Sequence, residues 1–213
     1  MNLKKIFTAL ILLLICQSAI MAQDSTGVQD IPQDTVKRKF ISDNPRPSGI
    51  FAAPLFGLSI PVKNLHQNSG SAINYGIRLE YASINIYPII IGVSFQMQNF
   101  KGSDNFKTAN LLDDFQTKVT TFGVGADILL NKFLKSNFTL PFFTIEGKYI
   151  KVSRTMVPEI AIDDIKLSDS IIGVSAGLGF TIYIFDIYGN YTFAKDYSNV
   201  ALQLRFHVPV LKF

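Results

Sequence analysis

Residues 72 to 83 read Ala72-Ile73-Asn74-Tyr75-Gly76-Ile77-Arg78-Leu79-Glu80-Tyr81-Ala82-Ser83. Ile73, Tyr75, Ile77, Leu79 and Tyr81 fall on one face of an extended chain. Asn74, Gly76, Arg78 and Glu80 fall on the other, because side chains alternate with a period of two in a strand. The pattern recurs. Tyr87, Ile89, Ile91, Val93, Phe95 and Met97 oppose Gly92, Ser94, Gln96 and Gln98. Phe122, Val124, Ala126, Ile128 and Leu130 oppose Thr121, Gly123, Gly125 and Asp127. Further runs follow at 143–149, 172–182, 185–193 and 200–208, and a less regular one at 49–60. That makes eight segments, each near the 9–11 residues of a tilted membrane strand.

Alternation does not say which face points inward. A soluble barrel of the lipocalin kind also alternates, with its large apolar residues inside and a Lys- and Glu-rich coat. Here the second face is instead small and neutral, with Gly, Ser, Thr, Asn and Gln and only a few charges. An eight-stranded barrel has room inside only for packed side chains. Small residues suit that bore, and the bulky apolar ones suit lipid. The expected fold is therefore all-β: an eight-stranded antiparallel up-and-down transmembrane β-barrel over residues 49–213. A soluble barrel and an open sandwich are the readings set aside.

Two further patterns agree. Aromatic residues gather near strand ends, with Tyr81, Tyr87, Phe180 and Phe185 at one rim and Phe95, Tyr149, Tyr191 and Phe193 at the other. Interfacial girdles have that form. Connections also alternate in length: those near 83–86 and 182–185 are tight and that near 131–137 is modest, while those near 99–117 and 153–169 are long. Short periplasmic turns and long outer loops follow this rule.

The first residues read as an address. Lys4 and Lys5 precede an apolar run from Ile6 to Ile15, and a small residue, Ala22, stands before Gln23-Asp24. This is the form of a secretory signal peptide, residues 1–22. The run is shorter than the roughly 20 residues a spanning helix needs, which disfavours an N-terminal anchor. Ile15 before Cys16 disfavours lipoprotein processing. Removal of residues 1–22 takes away two lysines and the one cysteine, so the net charge of +4 implies no nucleic-acid partner. It also leaves no disulfide, thiol chemistry or cysteine metal site. Residues 23–48, with Pro32, Pro45, Pro47 and the cluster Lys37-Arg38-Lys39, read as a flexible polar leader in the periplasm. Charged residues make up only 17% and hydrophobic ones 48%, which excludes a disordered protein.

The chain closes on Val208-Pro209-Val210-Leu211-Lys212-Phe213. A last strand of alternating apolar residues ending in Phe213 resembles the insertion signal of outer-membrane barrels. Phe213 is out of phase with Phe206, so a bulge is expected at Pro209. With this, residues 49–213 resemble the small eight-stranded outer-membrane barrel family of which the OmpA transmembrane domain is the familiar member, by pattern and without a family-specific motif. The resemblance implies a place in the outer membrane of a Gram-negative cell. The partners it implies are membrane lipid and lipopolysaccharide, the insertion machinery and an envelope protein.

The charges expected in the lumen are Arg78, Glu80, Asp127, Glu146, Lys148, Asp186, Arg205 and His207. Ionised groups in a narrow interior must pair, which suggests a network plugging the barrel, with Arg205 and Glu146 at similar heights on opposite walls. The expected role is structural or interactive, namely membrane integrity, adhesion or a subunit of an envelope assembly. A narrow pore is the alternative. A lipid-modifying enzyme comes third, because the two histidines, His66 and His207, lack a serine and acid at suitable spacing. The pairs Asp113-Asp114 and Asp163-Asp164 show no calcium-loop spacing, so no metal or cofactor is expected. Asp24-Ser25-Thr26, Asp34-Thr35-Val36 and Asp169-Ser170-Ile171 look similar to short bacterial O-glycosylation sites.

Overall fold

The computed structural model describes residues 48–131, 139–159, 162 and 165–212. The signal peptide, nearly all of the leader, Phe213 and the pair Asp163-Asp164 lie outside the described residues. The chain runs β1 (Gly49–Pro61), α1 (Asn64–Asn68), β2 (Ser69–Ala82), β3 (Ile89–Gly102), α2 (Asp104–Ala109), β4 (Asp114–Leu129), β5 (Leu140–Val157), β6 (Ser168–Ile182), β7 (Phe185–Phe193), β8 (Asn199–Phe206) and β9 (Val208–Lys212).

From β1 to β8 each strand pairs antiparallel with the next, and β1 closes the sheet by pairing with β2 on one side and with β8 and β9 on the other. β8 and β9 keep one register against β1 from Asn199 to Pro209, so they are one strand interrupted at His207, and the wall has eight strands. Closure leaves no row of unpaired backbone groups along the sheet's sides, which lipid would penalise. The expected irregularity falls beside Pro209: Phe51 faces Pro209 but Ile50 faces Leu211, which leaves Val210 as the extra residue.

The faces sort as the alternation requires. On β2, Ile73 is 66% exposed and Ile77 45%, while Asn74 is 0% and Arg78 3%. Outward apolar residues continue around the wall through Phe56, Leu58, Ile91, Val93, Val124, Ile145, Leu178 and Leu202. The exterior is thus a hydrocarbon-like belt around a polar bore.

Four strands are longer than their sequence pattern suggested. β3 reaches Gly102, β4 starts at Asp114, β5 reaches Val157 and β6 starts at Ser168. Above the belt the two faces exchange character. Outward positions become Asn99, Lys101, Gln116, Lys118, Lys151, Ser153 and Ser170. Inward positions become Phe100, Phe115, Val119, Ile150, Val152 and Met156. This part of β3–β6 is built as a sheet that meets water outside and oil inside. The long connections shrink accordingly to 103–113 and 158–167. The first of these holds α2, whose N-cap Ser103 accepts a hydrogen bond from the Phe106 amide at 3.3 Å.

Candidate functional site

The bore is packed in layers from the short-turn end upward. The lowest layer is apolar: Phe51, Ala82, Ile90, Leu129, Leu140, Phe142 and Tyr188. Tyr87 packs against this cluster, and its hydroxyl meets the Asn131 side-chain amide. It therefore fills the mouth of the bore from the β2–β3 turn rather than joining the outer girdle, because the turn carries its ring over the rim.

Above lies the ionic layer. The Arg205 guanidinium is its centre. It reaches Asp127 and Asp186 at 2.6 Å each and Glu80 at 3.0 Å. Its Cζ lies over the rings of Tyr188 and Phe142, at 5.1 and 5.4 Å from their centroids. Arg78 lies 3.3 Å from Asp127, 3.4 Å from Glu80 and 3.7 Å from Glu146. Lys148 lies 3.4 Å from Glu146 and as far from the Thr192 hydroxyl. His207 has Nδ1 at 2.8 Å from Glu80 and Nε2 at 2.7 Å from Asp186. The layer thus gathers four carboxylates, Glu80, Asp127, Glu146 and Asp186, around Arg78, Lys148, Arg205 and His207. Thr181 donates to Asp186 at 2.6 Å and Ser94 donates to Glu146.

All eight lumen residues expected from sequence are buried in this layer. The pairing differs in detail from the expectation, since the carboxylate partners of Arg205 are Asp127, Asp186 and Glu80, and Glu146 instead meets Arg78 and Lys148. Strand register and tilt decide which heights coincide, and neither is written in a single strand. Glycines make the room. A Cβ on Gly92 would stand 2.6 Å from Arg78 Nε, and one on Gly123 would stand 2.5 Å from Glu146 Oε1.

Next comes an amide layer. Asn74 donates to Gln96 at 3.3 Å, Gln203 to Gln96 at 3.2 Å and Asn190 to Gln203 at 3.2 Å. It is closed from above by an outer apolar layer of Leu65, Ala72, Phe100, Val119, Ile150, Val152, Ala194 and Tyr197. Leu65 comes from α1, and Tyr197 from the β7–β8 connection, which folds inward. Asn64 donates to Asp196 at 3.0 Å and ties these two lids together. Burial raises the Tyr197 phenol above its ordinary pKa. It stays a neutral ring beneath the Arg154 guanidinium, which lies 5.2 Å away and donates to the Lys166 carbonyl at 2.6 Å. A void of about 10 Å³ lies beneath the outer apolar layer, bordered by Gln98, Thr121, Lys148 and Thr192, with room for about one water. Above everything, a vestibule of about 1040 Å³ opens between α1, the top of β6 and Tyr197, with Arg154, Lys166 and Lys195 among its lining.

Nothing in the sequence pattern pointed to Leu65 or Tyr197, which lie in connections where period two carries no information, or to Arg154, which faces inward in the upper part of β5. On the exterior, Phe95, Phe122 and Tyr149 stand side by side on β3, β4 and β5, and in a second group Phe56 stacks on Phe206, which Phe185 meets edge-on. Tyr81, Phe180 and Phe193 are exposed on the wall and Tyr191 is half-buried there. His66 is exposed on α1. Among the described residues, no cluster of His, Cys, Asp and Glu is arranged to hold a metal.

A closed eight-stranded sheet with an apolar belt outside and a polar, layered interior is a small transmembrane-type β-barrel. No protein-family model and no curated sequence matches the chain. Among solved structures it is similar to Neisserial surface protein A, with 13% identity and a TM-score of 0.49, over 79% of this chain and 99% of that one. It is similar to Ail, the attachment invasion locus protein of Yersinia pestis, with 12% identity and a TM-score of 0.44, over 79% and 100%. It is also similar to the N-terminal β-barrel domain of Pseudomonas aeruginosa OprF, with 10% identity and a TM-score of 0.42, over 76% and 100%.

Proposed function

We propose that the protein is an integral outer-membrane barrel of a Gram-negative cell, with a non-conducting bore and a structural or interactive role in the envelope. The observation that carries this reading is the layered interior. A path through the barrel would have to cross two apolar layers and break an ionic layer in which Arg78, Lys148, Arg205 and His207 each meet at least one carboxylate. Removing any one partner there leaves a buried charge uncompensated, at a cost of about 3–5 kcal/mol. The apolar belt supports membrane insertion, and the lengths of the connections support an orientation with the α1 and α2 end outside. The outer vestibule is the surface left for a protein partner.

Planar-bilayer recording of the purified full chain tests the reading. Silence across a range of potentials is the expected result. A steady conductance of tens of picosiemens overturns the non-conducting bore and favours the narrow-pore reading.

A further inference from the structure

The outward face of the described strands carries charge at few places. Lys212 stands at the short-turn end. Asp114, Lys101, Lys118 and Lys151 all stand at the other end, on the three neighbouring strands β3, β4 and β5. The register sets their spacing. Lys118 pairs with Asn99 on β3 and Ser153 on β5, Lys101 pairs with Gln116, and Lys151 pairs with Thr120. Lys101 and Lys118 are therefore diagonal neighbours, and so are Lys118 and Lys151, each step about 7–8 Å. The four-carbon stems let adjacent ammonium groups converge on one anion.

What lies below them fixes their depth. Phe95, Phe122 and Tyr149 form a row across the same three strands, and the next outward positions upward are Met97, Thr120 and Lys151. An aromatic row at the edge of an apolar belt marks the membrane interface. The lysines thus begin one step above that edge, at the level of lipid headgroups. Among the described residues none of the three sits within ion-pair distance of a carboxylate, whereas Lys107 nearby does, at 3.0 Å from Asp104. Asp114 accepts a hydrogen bond from Gln116 at 2.9 Å and stands beside Lys101 only. The outward face of β1 and β2 offers no charge at any height. A coat serving only solubility would be spread around the wall; these charges occupy one sector.

We propose that Lys118 and Lys151, flanked by Lys101, hold the phosphates of a phosphorylated glycolipid in the outer leaflet. This rests on the outer-membrane reading above. The aromatic row would lie against the lipid's acyl chains, and the lysines would take up its phosphates in place of divalent counter-ions.

The test uses the full chain in detergent micelles, titrated with bisphosphorylated lipid A, with the same lipid after dephosphorylation, and with inorganic phosphate. Native mass spectrometry reads retention. Bisphosphorylated lipid A is expected to be retained at least tenfold more tightly than the dephosphorylated form, and inorganic phosphate is expected not to displace it. The double variant Lys118→Gln, Lys151→Gln should weaken retention about 25-fold, at roughly fivefold for each lysine. Lys118→Arg with Lys151→Arg should keep most of it, which separates loss of charge from loss of fold. Equal retention of the two lipids, an unchanged glutamine variant, or displacement by inorganic phosphate overturns the proposal. A parallel assay of insertion into phosphatidylcholine vesicles, read by protease protection, separates the two readings. Failure to insert sinks the membrane assignment itself. Insertion without lipid selectivity sinks the phosphate site alone.

Discussion

The lower and upper parts of β3–β6 belong to the same strands and obey opposite rules. In the lower part Ile91, Val93, Val124 and Ile145 face out while Ser94, Asp127, Glu146 and Lys148 face in. In the upper part Lys101, Lys118 and Lys151 face out while Phe100, Phe115, Val119 and Val152 face in. Backbone pairing runs unbroken through the exchange, with β4 and β5 in register from Asp114–Val157 down to Leu129–Phe142. The sheet itself is therefore indifferent to its surroundings. What each side chain meets outside, hydrocarbon or water, sets what the opposite face can hold. A wall in lipid leaves its polar groups only the interior, where they must satisfy one another. A wall in water can bury its oil there instead.

Substitutions can break that contrast, and their effects should be ranked by how many groups each disturbs. The largest effect is expected for Arg205→Ala in the lower interior. It leaves Glu80, Asp127 and Asp186 facing one another, and should lower stability by about 4–5 kcal/mol in urea unfolding from lipid vesicles. Phe115→Ala in the upper interior creates a cavity beside Leu112, Met156 and Phe106 and should cost about 3–4 kcal/mol in the same assay. On the outside, Val124→Lys places a charge in the belt and should cost about 2–3 kcal/mol. Its counterpart on the neighbouring strand, Thr155→Lys, stands above the belt opposite Gln116 and should stay within about 0.5 kcal/mol of the parent. If the last two cost the same, the boundary placed at the Phe95, Phe122 and Tyr149 row is wrong.

How much of this the sequence could tell follows from the same contrast. The lower part was legible because bulky apolar residues alternate there with small or charged ones, as in Ile73 to Glu80. The eight lumen charges follow from parity alone. The upper part was not. Around Gln116 to Thr121 and Lys151 to Thr155 the chain still alternates, but with the phase reversed and with polar residues in the majority, so the extra strand length reads as loop. Partner choice within the ionic layer depends on register around the whole wall. Leu65 and Tyr197 reach the bore from connections, where no periodicity marks them, and Tyr87, which the alternation assigns to the outer face, reaches it from the β2–β3 turn.

The join between β1 and the β8–β9 strand has a consequence for assembly. Gly49 to Pro61 are among the first wall residues to emerge, and their second partner, Asn199 to Lys212, is the last. Until the final dozen or so residues arrive, any partial sheet carries two bare margins that hydrocarbon would not tolerate. The wall therefore cannot be laid into a bilayer strand by strand from its beginning. It must either form a ring before entering or have its margins held by something else until the two ends meet.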